Sequence, residues 1–537
     1  MVDAAVPEAM CRQEVPGVAV GICDGGGPVW SAGYGQTART GGLPVTSDTR
    51  FSVQSTSKLF TATLAMKAVS QSLVELDQPI DAYLPDFAVN STFEEYPVSS
   101  ITLRRLLSHT AGFTHEAPLG SNYDIGNGDF DAHCRSISET WLRFVVGHHF
   151  EYSNLGIDLA GYALQRVAGV PFAEFAAREL FTPLGMVRTT FDAAVLESDP
   201  DRATGHWRPF DVIGRKLPVA VPMVAAGGLY TTVQDALRYL VRCLRGRSPL
   251  IPHDLFAEQR RVAFPLSGQR LGYGLGVYVD DWAGVGVHHH GGSGFGFQCQ
   301  LCWAPELDIG VVVLTNSFDN SLPDEIARRI VAEVAIQRGL PKATAGEPVG
   351  YHALPEARMS AAADLVGQYV GRLDQGVEVV IEDGQLLVRG EQAHLACLIG
   401  PRMIEVQDPE RSRYLFTDGP EGSVAYMLAI RDGYARYRND ESLTARSRLD
   451  PARVGIYVAR SWGVPTGSYR LRQDGNGAVI EHRSDDYGKP PQSTVSLRLS
   501  EVAKDLYLSS MGEILDLRTE SATYANIALE KVGANGP

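Results

Sequence analysis

The sequence predicts an α/β (α+β) body followed by a tail of antiparallel β-structure closed into one or two small barrels. Three observations point there. Helical and strand-like segments alternate over the first 340 residues. Residues 340–355 then hold three prolines and two glycines and read as a linker. Beyond it, short alternating runs are punctuated by Asp383-Gly384, Asp418-Gly419, Asp432-Gly433 and Asp474-Gly475. Asp-Gly between alternating segments is a hairpin signal, and closure into barrels protects the strand edges such hairpins leave. The domains are drawn as a body at 1–345, a linker at 346–359, and barrel-like units at 360–450 and 451–537.

In chain order, Val18 to Cys23 is an apolar run ended by Asp24-Gly25-Gly26-Gly27, and Val29 to Tyr34 completes a hairpin. Phe51-Ser52-Val53 leads into Thr56 to Leu73, where Leu59, Ala62, Met66, Val69 and Leu73 recur at helical spacing. Further helices are expected at Leu103–Ser108, Leu155–Ala168, Val233–Leu244 and Asp324–Arg338. Strands are expected at Val285–His290 and along Phe297–Asn316. Strand-like sequence begins by Val15, with no basic or apolar leader ahead of it, so a cytoplasmic protein is expected.

Composition narrows the function. The chain is 44% hydrophobic and 21% charged, an ordinary globular balance that excludes a disordered or fibrous protein. Its net charge of −15 argues against nucleic acid and anionic membrane as partners. No apolar run is long enough for a transmembrane helix. Seven cysteines, an odd and scattered set, fit reduced thiols. Of 48 basic residues only seven are lysine, which makes any lysine placed beside a serine worth weighing.

Ser55-Thr56-Ser57-Lys58 is such a placement. Residues i and i+3 share a helix face, so the Ser55 hydroxyl and the Lys58 amine can meet. A serine hydroxyl is a weak nucleophile, and an amine of lowered pKa can take its proton. The helix N-terminus offers N–H groups to a developing oxyanion. Chance alone yields an S-x-x-K match in about one such chain in two, and a capping serine beside a solvated lysine is the bland alternative. Tyr152-Ser153-Asn154 comes second, as a phenol to relay protons and an amide to hold substrate and lysine. Y-x-N is cheap, recurring at Tyr437 and Tyr524. The third is His288-His289-His290-Gly291-Gly292 near a strand end, whose glycines permit close backbone approach. On a strand, His288 and His290 share one face and His289 takes the other. Cys299-x-x-Cys302 raises zinc as a rival, but strand alternation sends its cysteines to opposite faces, unlike a closed tetrahedral site. No metal and no cofactor are assigned.

The order S-x-x-K, Y-x-N, H-G-G resembles the serine β-lactamase and penicillin-binding superfamily, in the branch of class C β-lactamases, D-alanyl-D-alanine carboxypeptidases, family-VIII esterases and D-aminopeptidases. The intervals are 97 residues from Ser55 to Tyr152 and 138 from Tyr152 to His290. Leu106-Leu107-Ser108-His109-Thr110-Ala111-Gly112-Phe113, Ala226-Gly227-Gly228-Leu229-Tyr230-Thr231-Thr232 and Phe181-Thr182-Pro183-Leu184-Gly185-Met186 resemble further segments of that family, over about residues 10–340. The resemblance implies an antiparallel sheet flanked by helices with an all-helical subdomain, and lipocalin-like barrels behind it as in the D-aminopeptidases, where they shape access to the pocket.

It implies roles as well. Ser55 would be the acylated nucleophile, Lys58 its proton acceptor, Tyr152 the relay to the leaving group, and Asn154 with Gly291 and Gly292 the substrate-binding groups. The backbone N–H groups of Ser55 and Ser293 would form the oxyanion hole. His290 would stand where many relatives carry lysine, which puts recognition of a penicillin-type carboxylate in doubt. The expected activity is hydrolysis of an amide, peptide or ester small-molecule substrate through an acyl-Ser55 intermediate, most like a D-aminopeptidase or D-amino-acid amidase. The alternatives are an esterase or β-lactamase, a penicillin-binding-type thioesterase or acyltransferase, and a non-catalytic binding protein. A chain ended near Gly346 is expected to fold with altered substrate preference.

Overall fold

The structure is a computed structural model that describes residues 2–122, 129–207, 217–246, 251–265, 272–282, 284–318, 320–339, 362–371, 376–390, 392–400, 402–408, 412–418, 423–429, 435–438, 448–461, 464–475, 477–484, 495–519 and 522–533. The linker drawn at 346–359 lies outside the described residues. The body is built on one antiparallel eight-stranded sheet. Its strands are β1 Gly17–Asp24, β2 Gly27–Gly35, β5 Phe264–Pro265, β6 Gly272–Tyr273, β7 Tyr278–Trp282, β8 Val285–Gly294, β9 Phe297–Ala304 and β10 Ile309–Thr315. They run in the order β2-β1-β10-β9-β8-β7-β6-β5. A separate pair joins β3 Phe51–Ser52 to β4 Tyr230–Thr231.

Period-two alternation sorts the sheet's side chains into two layers. Val18, Val20, Val311 and Val313 face helices α1 (Val2–Gln13) and the last helix of the body, Leu322–Gln337. Ala19, Leu301, Val312 and Leu314 face a larger helical layer. That layer holds α2 (Ser57–Ser70), α3 (Leu103–Leu107), α4 (Phe130–Ser136) and α5 (Asn154–Ala168), with Val233–Arg245 packed directly on β1 and β10. Strand β10, buried along its whole length, reads in sequence as an unbroken apolar run because both faces are covered.

Two elements differ from the sequence reading. The run expected along Phe297–Asn316 is two strands, parted by a short turn at Pro305–Leu307 and by Asp308 in the left-handed region. The segment before Val15 forms α1, with Pro7 inside it. Only Ala5, Val6 and Ala9 of that helix are buried, a stripe too narrow to register as helical periodicity. No helix among the described residues is long and apolar enough to cross a membrane.

Beyond the body lie two closed antiparallel barrels, each of eight strands joined to sequence neighbours in up-and-down order. The first runs from Gly367–Gly371 to Ala435–Arg438, the second from Gly455–Ser461 to Ile527–Gly533. At Asp383-Gly384 both residues have positive φ, 49° and 73°, the tight primed turn that an Asp-Gly pair supplies. The first barrel fills its own interior with residues such as Tyr369, Val379, Ile404 and Phe416. The second shares a continuous apolar cluster with Phe150, Tyr152 and Tyr273 of the body.

Candidate active site

The site begins at the turn from β3 into α2. Gln54, a non-glycine residue with φ 46°, occupies the left-handed region, at a cost of about 1–3 kcal/mol. Its side-chain amide donates to Ser52 Oγ at 2.7 Å, and its carbonyl accepts from Ser57 Oγ at 2.5 Å. The chain then makes one tight turn, Gln54–Thr56, before α2. Strand β8 clamps this turn from the other side. Thr56 Oγ1 donates to the His290 carbonyl at 3.0 Å. A Cβ on Gly292 would lie 2.0 Å from the Val53 carbonyl oxygen, and one on Gly294 2.8 Å from Gln54 Oε1. The glycine at 292 is therefore demanded by contact between two backbones of the protein itself, a steric need apart from any ligand. Ser293, exposed between these two contacts, flanks the turn that carries Ser55.

Lys58 is fully buried in the first turn of α2. Its Nζ donates to Ser55 Oγ at 3.1 Å, Asn154 Oδ1 at 2.7 Å and the Ala226 carbonyl at 2.9 Å. The same nitrogen lies 4.9 Å from the centre of the Tyr152 ring. Burial lowers the ammonium pKa to about 7, against the opposing pull of Asp158 and Glu116. Asp158 sits one turn beyond Asn154 on α5, and its Oδ1 accepts from Ala226 N at 2.9 Å, holding in place the carbonyl that receives Lys58.

Tyr152 and Asn154 reach the lysine together because of Ser153. That residue is the extended N-cap of α5, so its two neighbours emerge on one side. Ser153 Oγ donates to the Thr114 carbonyl at 2.6 Å, which ties the cap to the segment following His109.

His290 is 1% exposed, with its ring centre 6.4 Å from that of Tyr152. Its Nδ1 lies 2.6 Å from the Gly291 carbonyl, which can only accept, so Nδ1 carries the proton. Nε2 is then the acceptor for the Tyr273 hydroxyl at 2.9 Å. Burial, with the nearby Lys58 charge, lowers the imidazolium pKa to about 3. This histidine is neutral at physiological pH and has both nitrogens engaged. It offers no fixed cation to a substrate carboxylate.

Four of the residues singled out in the sequence, Ser55, Lys58, Tyr152 and Asn154, thus converge directly. His290 joins them through ring contacts, and Gly292 and Ser293 border the turn that carries Ser55. His288 shares the His290 face and stacks on Trp303, whereas His289 stacks on Tyr278 from the opposite face. Cys299 lies beside Thr56, and Cys302 belongs to the apolar layer on the other side of the sheet.

Sequence reasoning missed Tyr273, His109 and Asp158. Tyr273 stands on a two-residue strand with no local pattern to mark it. His109, with φ 59°, accepts the Ser153 N–H at Nδ1 (3.2 Å) and packs 4.4 Å from Tyr152 and 4.8 Å from Tyr273, ring centre to ring centre. The sequence marks it only as part of the Leu106–Phe113 stretch that resembles the family and gives it no role of its own, because its backbone conformation is invisible before folding.

The arrangement suits proton transfer from a serine to an amine, because only the neutral amine accepts a proton. The value of kcat/KM for acylation is accordingly expected to climb with pH, about tenfold per unit below about 7, and to level off above it. A flat profile between about pH 5.5 and about 8.5 contradicts Lys58 as the titrating group.

The family described as Beta-lactamase matches residues 2–336. Esterase EstB of Burkholderia gladioli is 26% identical over 359 residues, covering 59% of this chain and 89% of that protein. The D-alanyl-D-alanine-carboxypeptidase/endopeptidase AmpH of Escherichia coli (strain K12) is 26% identical over 326 residues, covering 56% of this chain and 80% of that protein. Among solved structures, SurE with D-Leu shares the fold with a TM-score of 0.58 at 22% identity, covering 81% of this chain and 98% of that one. With the family matched along the whole body, the chain belongs to the Beta-lactamase family and is a serine hydrolase of the β-lactamase and penicillin-binding superfamily.

Proposed function

We propose that Ser55 attacks an amide or ester carbonyl and carries the acyl group as a covalent intermediate. Lys58 takes the hydroxyl proton, Tyr152 passes a proton to the leaving group, and Asn154 holds the acyl-side amide. The backbone N–H groups of Ser55 and Ser293 receive the oxyanion. One observation carries the reading: an amine 3.1 Å from Ser55 Oγ, buried until its pKa falls to about 7. That is the state in which lysine serves as a general base at neutral pH.

The neutral, doubly engaged His290 favours substrates with no carboxylate at that end of the site. This sets penicillins and C-terminal carboxylates below amides and esters. Within that class we favour a D-aminoacyl amide or peptide, supported by the barrels behind the body and by likeness to a structure solved with D-Leu. Esterase activity is the second reading, favoured by the similarity to EstB over 89% of that protein.

A fluorophosphonate probe is expected to add to Ser55, located by peptide mass mapping. A panel of D- and L-amino-acid p-nitroanilides, p-nitrophenyl esters and nitrocefin is expected to show turnover of anilides or esters well above nitrocefin. Nitrocefin as the best substrate, or a folded protein that no acylating probe modifies, overturns the proposal.

A further inference from the structure

Arg143 is 2% exposed and lies where the body meets both barrels. Its Nη1 donates to Glu151 Oε1 at 2.8 Å, within the body and next to Tyr152. Its Nη2 donates to the Met511 carbonyl at 2.8 Å, and its Nε lies 3.2 Å from Glu513 Oε1, both in the second barrel. From the first barrel, the Tyr437 ring lies 4.4 Å from the guanidinium, and the Tyr437 hydroxyl donates to Glu151 Oε2 at 3.5 Å. Gly512 fits against the Arg143 backbone, where a Cβ would come within 2.9 Å of the Arg143 carbonyl oxygen.

Two routes run from this junction to the site. Arg143 holds Glu151, the residue before Tyr152. Glu513 accepts from Thr114 Oγ1, at 3.1 Å to each oxygen, and the Thr114 carbonyl accepts from Ser153, the cap between Tyr152 and Asn154. Arg143 itself donates its backbone N–H to Gly112, on the same segment as His109 and Thr114. On the apolar side, Tyr152 is packed in the cluster that the second barrel shares with Phe150 and Tyr273.

We propose that Arg143 and Glu513 are positioning residues for Tyr152 and Asn154, through which the second barrel completes the catalytic site. The proposal rests on the acyl-serine reading above. A buried guanidinium facing two carboxylates holds both ends of this linkage in one geometry, because a buried charge left without its partner is strongly disfavoured. A shift of about 1 Å in a proton-relaying group costs about a hundredfold in rate even where the chemistry itself is untouched.

The test uses the full-length chain. Glu513→Gln leaves a one-to-one pair of Arg143 with Glu151 and should fold. Thr114→Val removes only the hydroxyl bridge to Glu513 and serves as the second variant should the first not fold. Folding is checked by circular dichroism and thermal melting, and acylation of Ser55 by a fluorophosphonate is timed alongside turnover of a small ester. The expected result is a 10- to 100-fold fall in acylation rate and kcat, with KM within about threefold of wild type. An effect confined to the melting temperature, with the acylation rate unchanged, makes the junction merely structural and overturns the proposal. A wild-type protein that is not acylated fails the acyl-serine reading instead, so the two failures are distinct.

Discussion

Lys58→Arg is expected to silence the enzyme almost as thoroughly as Ser55→Ala. Arginine keeps the positive charge, but its guanidinium is not deprotonated in proteins and cannot accept the serine proton. Loss of a general base costs about 10²–10⁴-fold. Loss of a nucleophile that works as a unit with its base costs about 10⁴-fold or more. Lysine in the same place is held by three hydrogen bonds, to Ser55, Asn154 and Ala226. Lys58→Met removes the base without adding volume, and separates the chemical effect from crowding by the larger guanidinium. The measurement is the rate of covalent modification of Ser55 by a fluorophosphonate in each variant, beside far-ultraviolet circular dichroism. An arginine variant that keeps more than about a tenth of the wild-type rate removes Lys58 from the role of base.

Ending the chain near Gly346 is expected to abolish activity on small and large substrates alike. The sequence suggested a separable tail whose loss would alter substrate preference, and the buried junction changes that expectation. Without the barrels, Phe150, Tyr152 and Tyr273 lose the apolar partners that cover them. Arg143 loses Glu513, Met511 and the Tyr437 ring at one stroke, and a buried ion pair that loses a partner costs about 3–5 kcal/mol. His149, stacked on Tyr426 at 4.1 Å, is uncovered as well. Expression of this shorter chain should yield aggregated protein, or soluble protein with a broadened melting transition and no acylation of Ser55. A soluble product with the full acylation rate on a small ester shows that the body positions Tyr152 unaided.

The parts of the site that were legible in the sequence are those built from local geometry. Ser55 and Lys58 are three residues apart on one helix, and Tyr152 and Asn154 flank a serine cap. Helical and extended periodicities place such neighbours on one side whatever surrounds them. The barrels were legible for a similar reason, since alternation and the Asp383-Gly384 turn are both short-range signals, while Gly419 and Asp432-Gly433 lie outside the described residues. Helix α1 was not, because three small buried residues make no pattern until the sheet they cover exists.

The amino-acid order by itself determined the family, the body-then-barrels plan and the pairing of Ser55 with Lys58, because each rests on contacts a few residues long or on motifs in fixed order. Tertiary structure alone decided that His290 is a neutral acceptor of the Tyr273 hydroxyl, that Gly292 makes way for Val53, and that Arg143 binds the second barrel to the Tyr152 segment. Those outcomes depend on burial and on partners far away in the chain. The energy of a proton or an ion pair is set by the dielectric and the neighbours that folding supplies.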